Sequence, residues 1–233
     1  METMLDYILV TNAMGYSVLE DSSSALTQVA LLFGWNSGDL WGEYEESRGF
    51  TTVHRALLGI NNSHDSLRNI LASLAAAGTL TDIIDCADAH GRSPLAWAIK
   101  YGWADATKML INFGANVHQL RRSMFTVSPL LHLVIAGPDS RRSDTQVLGV
   151  VRLLLQVGVD INAKDHEQWT AMHIGASWNL YDVVMELVQF GGEALDCEAV
   201  TELGQSALDL AVDVGADGTL IDLLQNISLR GSE

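Results

Sequence analysis

Apolar residues recur along this chain at helical spacing, in short runs broken by glycines and polar clusters. Met1, Leu5, Ile8 and Leu9 outline one helix. Leu26, Val29, Ala30, Leu32 and Phe33 outline a second behind Ser24, a capping residue. The design returns at Met109-Leu110-Ile111, at Val151, Leu154 and Leu155, and at Val183-Val184 with Leu187-Val188. Each run predicts a short helix with one buried face. A pair of such helices cannot cover that face alone, whereas stacking on neighbouring pairs does, so the unit has to repeat.

The chain matches itself in register. One unit runs Asp88-Ala89-His90-Gly91-Arg92-Ser93-Pro94-Leu95-Ala96-Trp97-Ala98, then Gly102, Met109-Leu110-Ile111 and Gly114-Ala115-Asn116-Val117. Another runs Asp165-His166-Glu167-Gln168-Trp169-Thr170-Ala171-Met172-His173. Further units begin at Gly49-Phe50-Thr51-Thr52-Val53-His54, at Ser128-Pro129-Leu130 and at Gly204-Gln205-Ser206-Ala207-Leu208-Asp209. The anchors Thr52, Pro94, Pro129, Ala171 and Ala207 are separated by 42, 35, 42 and 36 residues.

These units resemble the ankyrin repeat, whose signature is G-x-T-P-L-H followed by two short helices and G-A-D-V-N, with a period of about 33 residues. The resemblance implies an all-α solenoid of about five repeats over residues 48–226. Residues 1–47 then form an N-terminal helical cap, a degenerate repeat, and 227–233 a short tail. His54 and His173 hold the family's own histidine position, where the resemblance implies a structural hydrogen bond. The third repeat departs from the pattern: Thr126 replaces the turn glycine, Leu131 takes the histidine position and His132 follows one residue later. Its helices are separated by an insertion, Gly137 to Asp144, and insertions in solenoids often serve binding.

Charge narrows the function. The net charge is −16, from 13 basic against 29 acidic residues. A chain so poor in Lys and Arg is a weak partner for nucleic acid or for an anionic membrane. No run reaches the length a spanning helix needs, and Glu2 and Asp6 stand where a secretory signal carries basic residues. Together these predict an intracellular protein, cytoplasmic or nuclear. Between Lys164 and Arg230 there is no Lys or Arg at all, while acids abound. That stretch reads either as a solvated flank or as a docking face for a basic partner.

Catalytic and metal signatures are absent. Gly-x-Ser occurs at Ser17, Ser93 and Ser206, but the second glycine of a nucleophile elbow is missing, and these serines fit helix starts. The seven histidines form no metal-ligand spacing, and no cofactor or metal is expected. Cys86 and Cys197 hold equivalent places three units apart, so they are expected as free, small buried thiols.

Ankyrin proteins bind partners with hairpin tips and the inward side of the first helices. Carried over position by position, the resemblance implies a surface of His90, Arg92, Tyr101, Phe125, His166, Glu167, Trp169, Trp178, Glu202 and Asp213. Tyr101, Phe125, Trp169 and Trp178 would be aromatic anchors in one concave groove, since exposed aromatics contribute nothing to stability and mark binding sites. The expected function is therefore a protein–protein interaction scaffold for a protein or peptide partner. The alternative is a small-molecule binder or enzyme using the same groove, with His90, His166, Glu167 or Tyr101 as acid–base groups.

Overall fold

The computed structural model describes residues 47–59, 66–118, 121–122, 127–135 and 144–230. The expected helices of residues 1–46, Phe125 and the insertion at 137–143 lie outside the described residues. The chain divides into two compact units, Met1–Pro94 and Leu95–Glu233.

In the first unit, α1 (Thr52–Leu58) and α2 (Leu67–Ala76) pack against each other, followed by the short α3 (Leu80–Ile83). Thr51 caps α1 by accepting from the backbone N–H of His54, and the His54 ring reaches back to the N-cap. This is a capping box with histidine in the usual Glu or Gln place. Ser66 caps α2. Val53, Leu58 and Leu71 are the sealed interior.

The second unit contains α4 (Pro94–Lys100), α5 (Ala104–Asn112), a two-residue hairpin of β1 (Arg121–Arg122) and β2 (Val127–Ser128), α6 (Leu130–Ile135) and α7 (Asp144–Gln156). Then come α8 (Ala171–Ser177), α9 (Tyr181–Gly191), a 3-10 turn at Gly192–Ala194, α10 (Ala207–Asp213) and α11 (Gly218–Arg230). The last helix runs to Arg230, with Ile227 among its buried residues. Helices starting at Thr52, Pro94, Ala171 and Ala207 match the anchors, while α6 starts one residue after Pro129.

Two layers result. The first helices α6, α8 and α10 pack side by side, and the second helices α5, α7, α9 and α11 form a layer behind them. Leu110, Leu154 and Leu187 sit fully buried in the second layer. The first helices α4, α8 and α10 end in the same way: Trp103 donates to Ala98, Leu180 to Gly175 and Ala216 to Ala211, all through backbone N–H groups at 2.9 Å. That is a Schellman closure, which needs one residue in the left-handed region. Gly102 and Gly215 supply it with φ of 71° and 67°, and Asn179 does so with φ of 53°. Asparagine is among the few residues that tolerate this.

Histidines tie successive repeats together. Nε2 of His54 donates to the Arg92 carbonyl at 2.9 Å, and Nε2 of His173 donates to the Ala199 carbonyl at 3.1 Å. In both, Nδ1 accepts from the N-cap backbone N–H, which fixes the tautomer. The displaced His132 does the same work, with Nε2 on the Trp169 carbonyl at 2.8 Å. Arg92 and Trp169 are equivalent residues of their hairpins, so the one-residue shift in α6 leaves the inter-repeat link intact.

Candidate functional site

Two neighbouring hairpins of the second unit present the expected tip residues. In the first, Asp165 Oδ1 accepts from the N–H groups of Glu167 and Trp169 at 3.0 and 2.9 Å, and Gln168 closes the turn with φ of 63°. In the next, Thr201 Oγ1 accepts from the Gln205 N–H at 3.3 Å, and Gly204 closes the turn. The Glu202 N–H donates to the Glu167 carbonyl at 2.9 Å and joins the two. His166, Glu167, Glu202 and Leu203 are thus exposed on fixed backbone, with Leu203 at 85% exposure.

The ends of α8 and α10 complete the face. Trp178 and Val214 are the C-cap residues of these adjacent helices, 47% and 51% exposed. The Gln205 side-chain amide donates to Asp213 Oδ2 at 3.0 Å, so hairpin base and helix end share one face. Trp169 and Ser177 hold the equivalent places one repeat earlier; Trp169 is half-buried, its ring 6.2 Å from that of His173. Beyond the helix ends, Asn179 and Asp217 bond reciprocally: amide to carboxylate and backbone N–H to amide oxygen, both at 3.1 Å. Val212 is also exposed, but its counterpart Ala176 is fully buried, so Val212 belongs to the uncovered end of the stack and not to this face.

Two expected residues are corrected. Tyr101 is 2% exposed, clamped between Trp97 and Trp103 at centroid distances of 5.5 and 5.6 Å, with Lys100 Nζ over its ring. It is a core residue, because the aromatic side chains around it satisfy it internally. Arg92 is 5% exposed and pairs with Asp88 at 3.3 Å, beside Arg48 at 3.0 Å from the same carboxylate oxygen. It closes its hairpin and does not face a partner. His90 is exposed at that hairpin's tip in the first unit. Trp169, Trp178, His166, Glu167, Glu202 and Asp213 lie at least partly exposed on these hairpins and helix ends, whereas Tyr101 and Arg92 are buried. Leu203 and Val214, which the repeat register also places at the hairpin tip and helix end, are exposed because those backbone positions face outward. The thiols are also corrected: Cys86 is exposed and Cys197 half-buried, and both are free.

Electrostatics divide the site from the interior. Burial pushes His54 down to about 4, Arg48 adding to the effect and Asp88 opposing it. Burial also lowers His132 and His173, against their bonds to backbone carbonyls. These links are therefore neutral imidazoles at pH 7. Asp209 is held below the usual carboxylate range by the Ser206 hydroxyl and N–H. Among the described residues no group of His, Cys, Asp and Glu could hold a metal ion, and no helix is long and apolar enough to cross a membrane. A cavity of about 690 Å³ lies on the second-helix side, lined by Val188, Leu195, Cys197 and Ile227 among others. Its lining shares nothing with His90, His166, Glu167 or Tyr101, so the acid–base alternative gains no pocket from it.

Paired helices in two layers, joined by projecting hairpins and tied from one repeat to the next by histidine links, define a helical repeat protein. The ankyrin-repeat family profile matches residues 90–122, and the described helices make up an all-α fold. The chain is similar to protein phosphatase 1 regulatory subunit 12A of Mus musculus and of Rattus norvegicus, each 37% identical over 84 residues. The match takes in 36% of this chain and only 8% of those proteins, so the chain corresponds to a small part of their length.

Proposed function

We propose that this chain is a protein–protein interaction module whose second unit receives a partner segment on the face built from the 165–169 and 201–205 hairpins and the ends of α8 and α10. The observation that carries this reading is Trp178, a large aromatic side chain half in solvent at the C-cap of a first helix. At the equivalent position Tyr101 is fully packed, so the fold offers an internal place for an aromatic here and Trp178 does not use it. Exposed Trp on rigid backbone loses little conformational freedom on contact and is the residue type most enriched at binding hot spots.

The relatives supply a first candidate partner in their name, protein phosphatase 1. The test is direct binding of the purified chain to protein phosphatase 1 and to proteins recovered with it from its native lysate, comparing wild type with Trp178→Ala. Loss of binding with an unchanged unfolding curve supports the face. Equal binding by both proteins would remove it.

A further inference from the structure

We infer that the segment recognised on this face is a basic, amphipathic stretch of another protein, which places apolar side chains on Trp178 and Val214 and Lys or Arg on the surrounding carboxylates. The inference rests on the proposed face and adds the chemistry of its occupant.

Three observations carry it. First, the apolar ground is narrow. Trp178, Val214 and Leu203 are exposed, and so are Glu202 and Asp213 next to Leu203 and Val214 in the chain, Asp217 bonded to the Asn179 that follows Trp178, Glu167 on the hairpin joined to Glu202, and Asp209. A wholly apolar ligand would strip water from those carboxylates without replacing it, which disfavours its binding. Second, the carboxylates are held by neutral donors. Asp213 accepts from the Gln205 amide, Asp217 from the Asn179 amide and Asp209 from the Ser206 hydroxyl at 2.6 Å. Each group is positioned while its full negative charge is retained. The contrast lies on the other layer, where Glu186 is neutralised by Arg152 at 2.8 Å. Third, the sequence maintains the imbalance: the stretch from Asp165 to Leu229 contains no Lys or Arg of its own. Oriented, unneutralised carboxylates around an apolar strip are complementary to a cationic amphipath and repel an acidic one.

The experiment uses the full chain and three synthetic peptides of equal length in which leucine alternates with lysine, serine or glutamate, followed by tryptophan fluorescence and by anisotropy of labelled peptide. The lysine peptide is expected to bind at least about tenfold more tightly than the serine peptide at low salt, with the advantage shrinking as ionic strength rises. Trp178→Ala should weaken lysine-peptide binding about tenfold or more, and Trp178→Phe should restore part of it. Asp213→Asn with Asp217→Asn, which keep the hydrogen-bonding shape, should flatten the salt dependence. If lysine and serine peptides bind equally and both depend on Trp178, the face stands and the basic partner is overturned. If lysine-peptide binding ignores Trp178 altogether, the peptide is reading diffuse negative charge, and both face and occupant are overturned.

Discussion

The hairpins at 88–92 and 165–169 share one backbone and differ in nearly everything they present. In each, the leading aspartate accepts from the N–H groups two and four residues on, at 2.9 to 3.0 Å. Each aspartate N–H donates to the carbonyl four residues ahead, at 2.8 and 3.0 Å. Each turn also bonds to a neighbouring loop: Ala89 N–H to the Arg48 carbonyl, and Glu202 N–H to the Glu167 carbonyl. Above that common frame, Asp88 gathers Arg48 and Arg92 into a buried ion cluster. Asp165 has no arginine to gather in its part of the sequence, and Trp169 stands where Arg92 does. One hairpin spends its side chains on its own closure and the other leaves them facing water. The difference shows how a repeat scaffold separates the conserved work of a turn, done by an aspartate and the backbone, from the residues free to meet a partner.

The largest test of this contrast is removal of each aspartate. Asp88→Ala should destabilise by about 3–5 kcal/mol, because two buried guanidinium groups lose their counter-charge. Asp165→Ala, which loses only turn hydrogen bonds, should cost about 1–2 kcal/mol. Urea unfolding midpoints of the two variants measure the gap, and equal losses would break the distinction.

Acid titration comes next. An unfolded histidine takes up a proton near 6.5, whereas folded His54 refuses it down to about 4. The stability this difference contributes is fully present above about 6.5 and is lost as pH falls towards 4. It amounts to on the order of 3 kcal/mol for His54 alone. His132 and His173 shift in the same direction. Thermal or urea unfolding from pH 8 to pH 4 should show a plateau and then a decline, shallower in His54→Gln.

A smaller effect is expected on the exposed hairpin's side. Trp169→Ala should weaken partner binding by about 2 kcal/mol while moving the unfolding midpoint little, measured by titration calorimetry and urea melts on the same samples. The smallest concerns the turn itself. Gln168 sits at φ of 63° where the other hairpin has glycine. Gln168→Gly should then raise stability by about 0.5–1 kcal/mol, a shift readable in the urea midpoint.

Much of this arrangement was legible in the residues. Thr51, Thr170 and Ser206 announce helix starts, and the spacing of Leu154 and Leu155 announces a buried face. The histidines at 54 and 173 take the inter-repeat role that the family resemblance implies. His132 was legible only as a departure, because compensation by an adjacent helix position depends on how α6 is seated. Tyr101 was misplaced for a related reason: its packing comes from Trp97 one turn before it and Trp103 beyond the helix end, a contact that spacing within one helix half reveals. The burial of Arg92 was readable in principle from Asp88 four residues earlier, but its second arginine, Arg48, lies 40 residues away from that aspartate. Trp178 and Asp213 landed on the exposed face because helix-end positions face outward wherever no neighbour is large enough to cover them.

The histidine links also impose a schedule on synthesis. His54 meets its acceptor 38 residues downstream and His132 meets its own 37 downstream. A ribosome adding roughly 5–20 residues per second needs about 2–8 seconds to deliver the carbonyl that satisfies each ring. Until then a nascent repeat carries an open N–H donor and an uncovered apolar flank, so its helices are provisional. Each repeat is thus locked by the next one to emerge, and a pause in translation just before residue 92 or residue 169 would prolong the interval in which the growing chain is open to chaperones and proteases.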